Sequence, residues 1–288
     1  KLWDLTAPNQ TPRTYSRPKS TEGLRAVVFS KTGRKLLAGG AQGSILIWSI
    51  DQPAAPPTVV KGHKSPINTL LLTKDNSRLI SVSGDGNIRT WNIAGGGVDS
   101  VANARTGFDL FCAQLSPDGK KLVCGSKDKV VVFDLNDLKK VPGVYNYYGM
   151  GSRVTALAFS PDGKKLLTGN VAGVIYLWSF ENDKVIEHTG VSVVGRHNSS
   201  VSDIVFSPNG DLVATSSFDW SVHLFNYDEI TRQQQPIVIS DFTNWVTGVR
   251  FTKDSKTLIA YGADRTVRLW DINISDLYNE TLKKVTRN

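Results

Sequence analysis

Residue types that can build a hydrolytic relay recur in this chain at a fixed spacing. Ser81 follows His63 by 18 residues and Asp85 follows Ser81 by four, and His197, Thr215 and Asp219 repeat both intervals. An imidazole held between a hydroxyl and a carboxylate can activate the hydroxyl as a nucleophile while the carboxylate fixes the tautomer. That chemistry also needs an exposed nucleophile and an oxyanion hole, and the sequence has no Gly-x-Ser-x-Gly elbow to supply them. Buried instead, the same groups would satisfy one another's hydrogen bonds and do no chemistry. The sequence favours this structural reading, and no catalytic residue is assigned.

Other reactive groups are sparse. Cys112 and Cys124 are the only cysteines, too few for a disulfide framework, and they are expected on neighbouring strands of one hairpin as a reduced pair. His188 and His223 join no metal-ligand spacing, so neither a metal nor a cofactor is expected. Gly95, Gly96 and Gly97 lack the Lys and Ser/Thr of a phosphate loop. With 40% apolar and 21% charged residues the chain can bury a large core. No run of about 18 apolar residues and no signal-peptide layout occurs, so no membrane insertion by this segment is expected and a cytoplasmic location is preferred. Of the net charge of +8, the first 61 residues carry +6, with nine Lys or Arg against Asp4, Glu22 and Asp51. These bases are scattered without interleaved aromatics, which favours a solvated face over a nucleic-acid site.

The elements that must position these groups come from a repeat. An aromatic closes a β-rich run at Trp3, Trp48, Trp91, Phe133, Trp178, Phe225 and Trp270, at gaps of 45, 43, 42, 45, 47 and 45 residues. A Ser or Thr opens a four-residue turn 18 residues before most anchors: Ser30, Thr73, Ser160, Ser207 and Thr252, with Ser116 at 17. Apolar runs flank each turn, so each unit reads as strands a, b and c with a fourth strand d before the next unit. Four short antiparallel strands in a period of 40 to 45 residues predict radially packed blades.

The chain resembles the WD40 family, whose blades often end in Trp-Asp, here Trp3-Asp4 and Trp270-Asp271, and begin after Gly-His, here Gly62-His63. The resemblance implies an all-β, seven-bladed WD40 propeller over residues 1–272, with a partial blade at 1–17, six repeats and a tail at 273–288. Because strands a and b before Trp3 are absent, and residue 1 is not Met, a missing upstream hairpin in a longer protein is expected. In the family the spacing of His63, Ser81, Asp85 and Trp91 marks a hydrogen-bonded tetrad. His197, Thr215 and Asp219 would keep three members, since Phe225 has no N–H. Asp264 and Asp128 would keep only the turn Asp.

Partners of such propellers often bind the end that carries the d-to-a and b-to-c loops. Carried over by offset, this gives Arg25, Phe111, Lys127, Arg153, Phe218 and Trp245 as candidate protein-binding residues, with Trp220 extending the aromatic patch. Arg and large aromatics suit hot spots because they fill pockets at modest entropic cost. The tail from Ile274 more loosely resembles the endings of propellers in bacterial STAND-class NTPases. That likeness implies a signalling protein with an upstream motor module whose domains would be partners in the same polypeptide. The expected function is therefore a non-catalytic scaffold or sensor that binds a protein or peptide. The alternatives are a propeller enzyme with a site at the channel mouth, and nucleic-acid binding through the basic first quarter.

Overall fold

Short apolar runs joined by turns of a few residues can pair only as antiparallel neighbours, since a parallel crossover needs a dozen residues or more. In a computed structural model they do so in six sheets. The structure describes residues 2, 4, 11–15, 23–30, 32–93, 99–146, 152–182, 184–230, 232 and 235–272. Trp3, Gly95 to Gly97 and the tail from residue 273 lie outside these, as does the side chain of His188.

Each sheet is a meander. The first blade comprises β1 (Leu24–Phe29), β2 (Lys35–Gly40), β3 (Ser44–Ser49) and β4 (Thr58–Lys61), and the second β5 (Ile67–Leu72), β6 (Arg78–Ser83), β7 (Asn87–Asn92) and β8 (Asp99–Arg105). The third has β9 (Cys112–Leu115), β10 (Lys121–Gly125), β11 (Lys129–Asp134) and β12 (Gly143–Asn146). The fourth has β13 (Val154–Phe159), β14 (Lys165–Asn170), β15 (Val174–Glu181) and β16 (Lys184–Arg196). The fifth has β17 (Val201–Phe206), β18 (Leu212–Ser217), β19 (Val222–Asn226) and β20 (Ile237–Ile239), with a one-turn helix, α1 (Tyr227–Ile230), after β19. The sixth shows three described strands, β21 (Val246–Phe251), β22 (Thr257–Gly262) and β23 (Val267–Asp271).

The a-to-b hairpin is the same device six times. The opening hydroxyl donates to a side chain two residues on, as Thr73 does to Asp75, Ser116 to Asp118 and Ser160 to Asp162, each at 2.5 Å. It also accepts the N–H five residues on, from Arg78, Lys121 and Lys165 at 3.1, 2.9 and 3.0 Å. The residue three after the hydroxyl has positive φ in all six turns, at Gly33, Asn76, Gly119, Gly163, Gly210 and Ser255. Such a hydroxyl-based turn holds the backbone before the strands pair.

Seven anchors predicted seven blades, and the structure corrects this to six, one for each of these turns. An anchor aromatic marks only a strand c, whereas a blade also needs the a-to-b hairpin, and only six turns can make one. Next to Trp3 the described residues form a single bridge, with Leu2 and Arg13 exchanging N–H···O bonds at 2.8 and 2.9 Å. Tyr15 then packs with Ala38, Leu46 and Trp48 of the first blade.

The chain divides into two compact units, residues 1–126 with 133–142, and residues 127–132 with 143–288. The first has its core between blades one and two, where Leu37, Ile45, Ile67, Leu79 and Trp91 meet. In the second, Leu167, Ile175, Val201, Val213 and Phe225 form one layer, and Leu224, Phe242, Val246 and Leu258 the next. Because both faces of each inner sheet are covered, β18 is buried at every residue.

Strand a carries a β-bulge near its start in five blades, at Arg25, Asn68, Thr155, Ser202 and Thr247. A bulge re-aims the extra side chain. Here three of them cross to the entry of the next blade: Asn68 Nδ2 donates to the carbonyl of Leu110, just before β9, at 2.8 Å, Thr155 Oγ1 to that of Val201 at 2.6 Å and Ser202 Oγ to that of Val246 at 2.7 Å. These positions brace blades.

Candidate partner-binding site

The second blade contains the complete network. The Trp91 indole N–H donates to Ser81 Oγ at 2.9 Å, Ser81 Oγ lies 2.7 Å from His63 Nε2, and His63 Nδ1 is 3.2 Å from both Asp85 oxygens. An indole can only donate, so Ser81 gives its own proton to Nε2, and His63 keeps its proton on Nδ1 for Asp85. Burial pushes the His63 pKa down despite the nearby carboxylate, which matches this neutral imidazole. Burial works to raise the Asp85 pKa, but the Lys64 and Asn87 hydrogen bonds and the His63 interaction outweigh it and hold the carboxyl at about 2. Ser81 is fully buried and bonded on both sides, so it offers no accessible nucleophile.

In the fifth blade His197 Nδ1 meets Asp219 at 3.0 Å and Nε2 meets Thr215 Oγ1 at 2.8 Å. Sequence reasoning missed His223, whose ring stacks on His197 at 3.7 Å and 21°. The signal was available, since His223 stands four residues after the turn Asp, where Arg89 and Arg268 stand in two other blades. His197, Asp219 and His223 bring three metal-ligand atoms within 4.8 Å of one another. Stacked imidazoles lie in nearly parallel planes 3.7 Å apart, so an ion in the plane of one ring lies out of the plane of the other, and the arrangement does not fit a metal as it stands. Burial, with the neighbouring His197 adding to it, pushes the His223 pKa down to about 4.

A further pair was also missed. Trp178 Nε1 donates to buried Thr168 Oγ1 at 2.9 Å, and Thr168 precedes its anchor by ten residues, as Ser81 does Trp91. In the sixth blade Arg268 replaces the imidazole contact, with Nη2 3.3 Å from Asp264 and the guanidinium 4.3 Å from the Phe242 ring centre. The cysteines sit in register opposite Gly125 and Ala113, so the pleat sends them to opposite faces of the hairpin. Burial pushes the Cys124 thiol well above its ordinary pKa.

The expected surface residues separate. Arg25 and Phe111 belong to the first unit, where Arg25 reaches Asn68 Oδ1 at 3.4 Å and Phe111 is half-buried. The second unit holds Lys127, Arg153, Phe218 and Trp245, with Lys127 and Arg153 joined in a backbone bridge. Phe218 and Trp245, on neighbouring blades five and six, stack at 4.9 Å and 20°, with Trp245 51% exposed. Main-chain bonds fix both at the same end, from Phe218 N–H to the Ser200 carbonyl and from Ala263 N–H to the Trp245 carbonyl.

Trp220, two residues after Phe218 in the chain, is 50% exposed and has φ of 73°. The equivalent b-to-c turn position is Gly43, Gly86 and Gly173 in three other blades and Arg265 in the sixth, all with positive φ. A left-handed conformation is free for Gly and costs an L side chain about 1 kcal/mol or more.

The chain matches the family model of the WD domain, G-beta repeat, over residues 10–49, 55–92, 103–133, 143–179, 189–226 and 234–271. It belongs to the WD40 family. The six matched repeats agree with six sheets, so the fold is an all-β WD40 propeller with six blades. WD40 repeat domains are typical protein-interaction scaffolds. The chain is 21% identical over 210 residues to Cilia- and flagella-associated protein 52 of Sus scrofa, covering 71% of this chain and 32% of that protein. It is 26% identical over 254 residues to Pre-mRNA-processing factor 19 of Bos taurus, covering 88% and 48%, and 26% identical over 199 residues to Apoptotic protease-activating factor 1 of Rattus norvegicus, covering 68% and 16%. The chain thus spans under half the length of each of these relatives. All three are eukaryotic, which gives the expected bacterial source no support. Among the described residues no helix is long and apolar enough to cross a membrane.

Proposed function

We propose that this domain is a non-catalytic scaffold that captures a protein or peptide on the aromatic patch of Phe218, Trp220 and Trp245. The observation that carries this reading is the stack of Phe218 on half-exposed Trp245, with Trp220, itself 50% exposed, two residues along the chain from Phe218. The left-handed turn position that holds Trp220 takes glycine in three blades and Arg265 in the sixth, so folding does not require an aromatic there. Flat, rigid aromatics are what hot spots use. Arg153 and Lys127 supply exposed charge in the same unit. The non-catalytic part is supported by the networks, where the hydroxyls of Ser81 and Thr215 are fully buried.

The test is partner capture with the full-length protein. Phe218→Ser and Trp245→Ser should each abolish capture while leaving the melting temperature near that of the parent, and Arg25→Ala should capture normally. Capture that survives both aromatic substitutions would refute the assignment.

A further inference from the structure

The third blade has lost the side chains that fill its outer edge. Thr106 N–H donates to the Gly86 carbonyl at 2.9 Å, as His63 N–H does to Gly43 and His197 N–H to Gly173. Thr106 therefore occupies the imidazole position, and Phe133 stands where Trp91 and Trp178 carry an indole. Two smaller side chains at these places leave room, and a cavity of about 390 Å³ opens there in the first unit, between β8 and the segment after β11. That volume is in the range of small-ligand sites.

Its lining is amphipathic. Phe133, Leu138 and Thr106 contribute to the wall, and Arg105, Lys139 and Lys140 add three cations. All three are exposed, and none has an ion-pair partner among the described residues. Asp134, which feels the charge of Lys140, is already paired with Lys121 at 3.2 Å. Three uncommitted cations around a hollow whose wall includes Phe133 and Leu138 match a dianion with three free oxygens on a flat apolar stem, since each oxygen can take a charge-assisted hydrogen bond.

We propose that this cavity binds a phosphate monoester carried on an aromatic stem. Two sources share that chemistry, a phosphotyrosine side chain in a peptide and a free nucleotide such as AMP. The cavity lies in the first unit and owes nothing to Phe218 or Trp245, so its failure would leave the capture reading untouched.

The test is calorimetric titration of the whole protein with a phosphotyrosine peptide, its unphosphorylated twin, AMP, adenosine and inorganic phosphate. At least one phosphorylated probe should bind about tenfold or more tightly than its phosphate-free counterpart, and which one does identifies the source. Arg105→Glu with Lys140→Glu should weaken that binding at least about tenfold. Leu138→Trp, which fills the hollow and keeps the charges, should weaken it as well. Lys139→Met and Lys140→Met, at exposed positions, replace the charge-reversed protein if it fails to fold. Equal binding of phosphorylated and unphosphorylated probes, no binding of either source, or binding indifferent to these substitutions would overturn the proposal. Inhibition by inorganic phosphate alone, with no gain from the aromatic stem, would overturn it too.

Discussion

Asp85→Ala tests the second-blade network at its most connected atom. The carboxylate accepts from His63 Nδ1 at 3.2 Å and from the Lys64 and Asn87 N–H groups at 3.0 Å. Lys64 lies at the surface, where water can take over its bond, whereas the His63 side chain is wholly buried. An unsatisfied buried donor costs about 1–3 kcal/mol, and with the two turn bonds the loss comes to about 2.5 kcal/mol. Melting entropy of about 2.1 cal/mol/K per residue turns this into a drop of about 4 °C if the whole chain melts together. If the unit holding blade two melts by itself, the drop is about 9 °C. Scanning calorimetry reads both cases.

The matched control is Asp264→Ala, whose carboxylate serves Thr243, Thr266 and Arg268 but no imidazole. Its drop should be no more than half as large. Equal drops in the two variants, or a fall of under about 1 °C for Asp85→Ala, would refute the argument that the buried imidazole sets the cost.

Further outcomes follow from the same geometry. Trp220→Gly relieves a left-handed side chain, so it should raise stability by about 1 kcal/mol in a chemical-denaturation curve while partner capture is lost; a destabilised variant would contradict the strain argument. Acid should act in two windows. His223, at about 4 against an ordinary 6.5, favours folding fully above pH 6.5 and loses that contribution as pH falls towards 4. Asp85, at about 2 against 3.8, contributes above pH 3.8 and loses its share as pH falls towards 2. His223→Phe should flatten the upper window in a stability-versus-pH series and leave the lower one, and an unchanged upper window would exclude His223 as its source. Timed alkylation read by mass spectrometry should modify half-buried Cys112 before fully buried Cys124, and the reverse order would contradict their placement on opposite faces.

Much of the fold was legible because it rests on local chemistry. The Ser/Thr turn is closed by bonds within five residues, so its sequence marks a hairpin wherever it occurs. The tetrad spacing was legible for a related reason, since two turns of fixed length set the offsets from His63 to Trp91. The seven-blade expectation failed because it counted an aromatic that follows a strand rather than the turn that creates a hairpin. The surface list also mixed two kinds of position. Offset placed Arg25 with the partner-facing residues, but the bulge at that point turns side chains such as Thr155 and Ser202 towards the next blade.

The sequence by itself determined the all-β class, the period, the hairpins and the spacing of His63, Ser81, Asp85 and Trp91, because each depends on contacts fixed by short intervals along one chain. Tertiary structure alone decided the stacking of Phe218 on Trp245, the burial of Ser81 and the hollow left beside Thr106 and Phe133. Those depend on how residues of neighbouring blades fill shared space, and packing between surfaces is set by volume and orientation that no interval along the chain records.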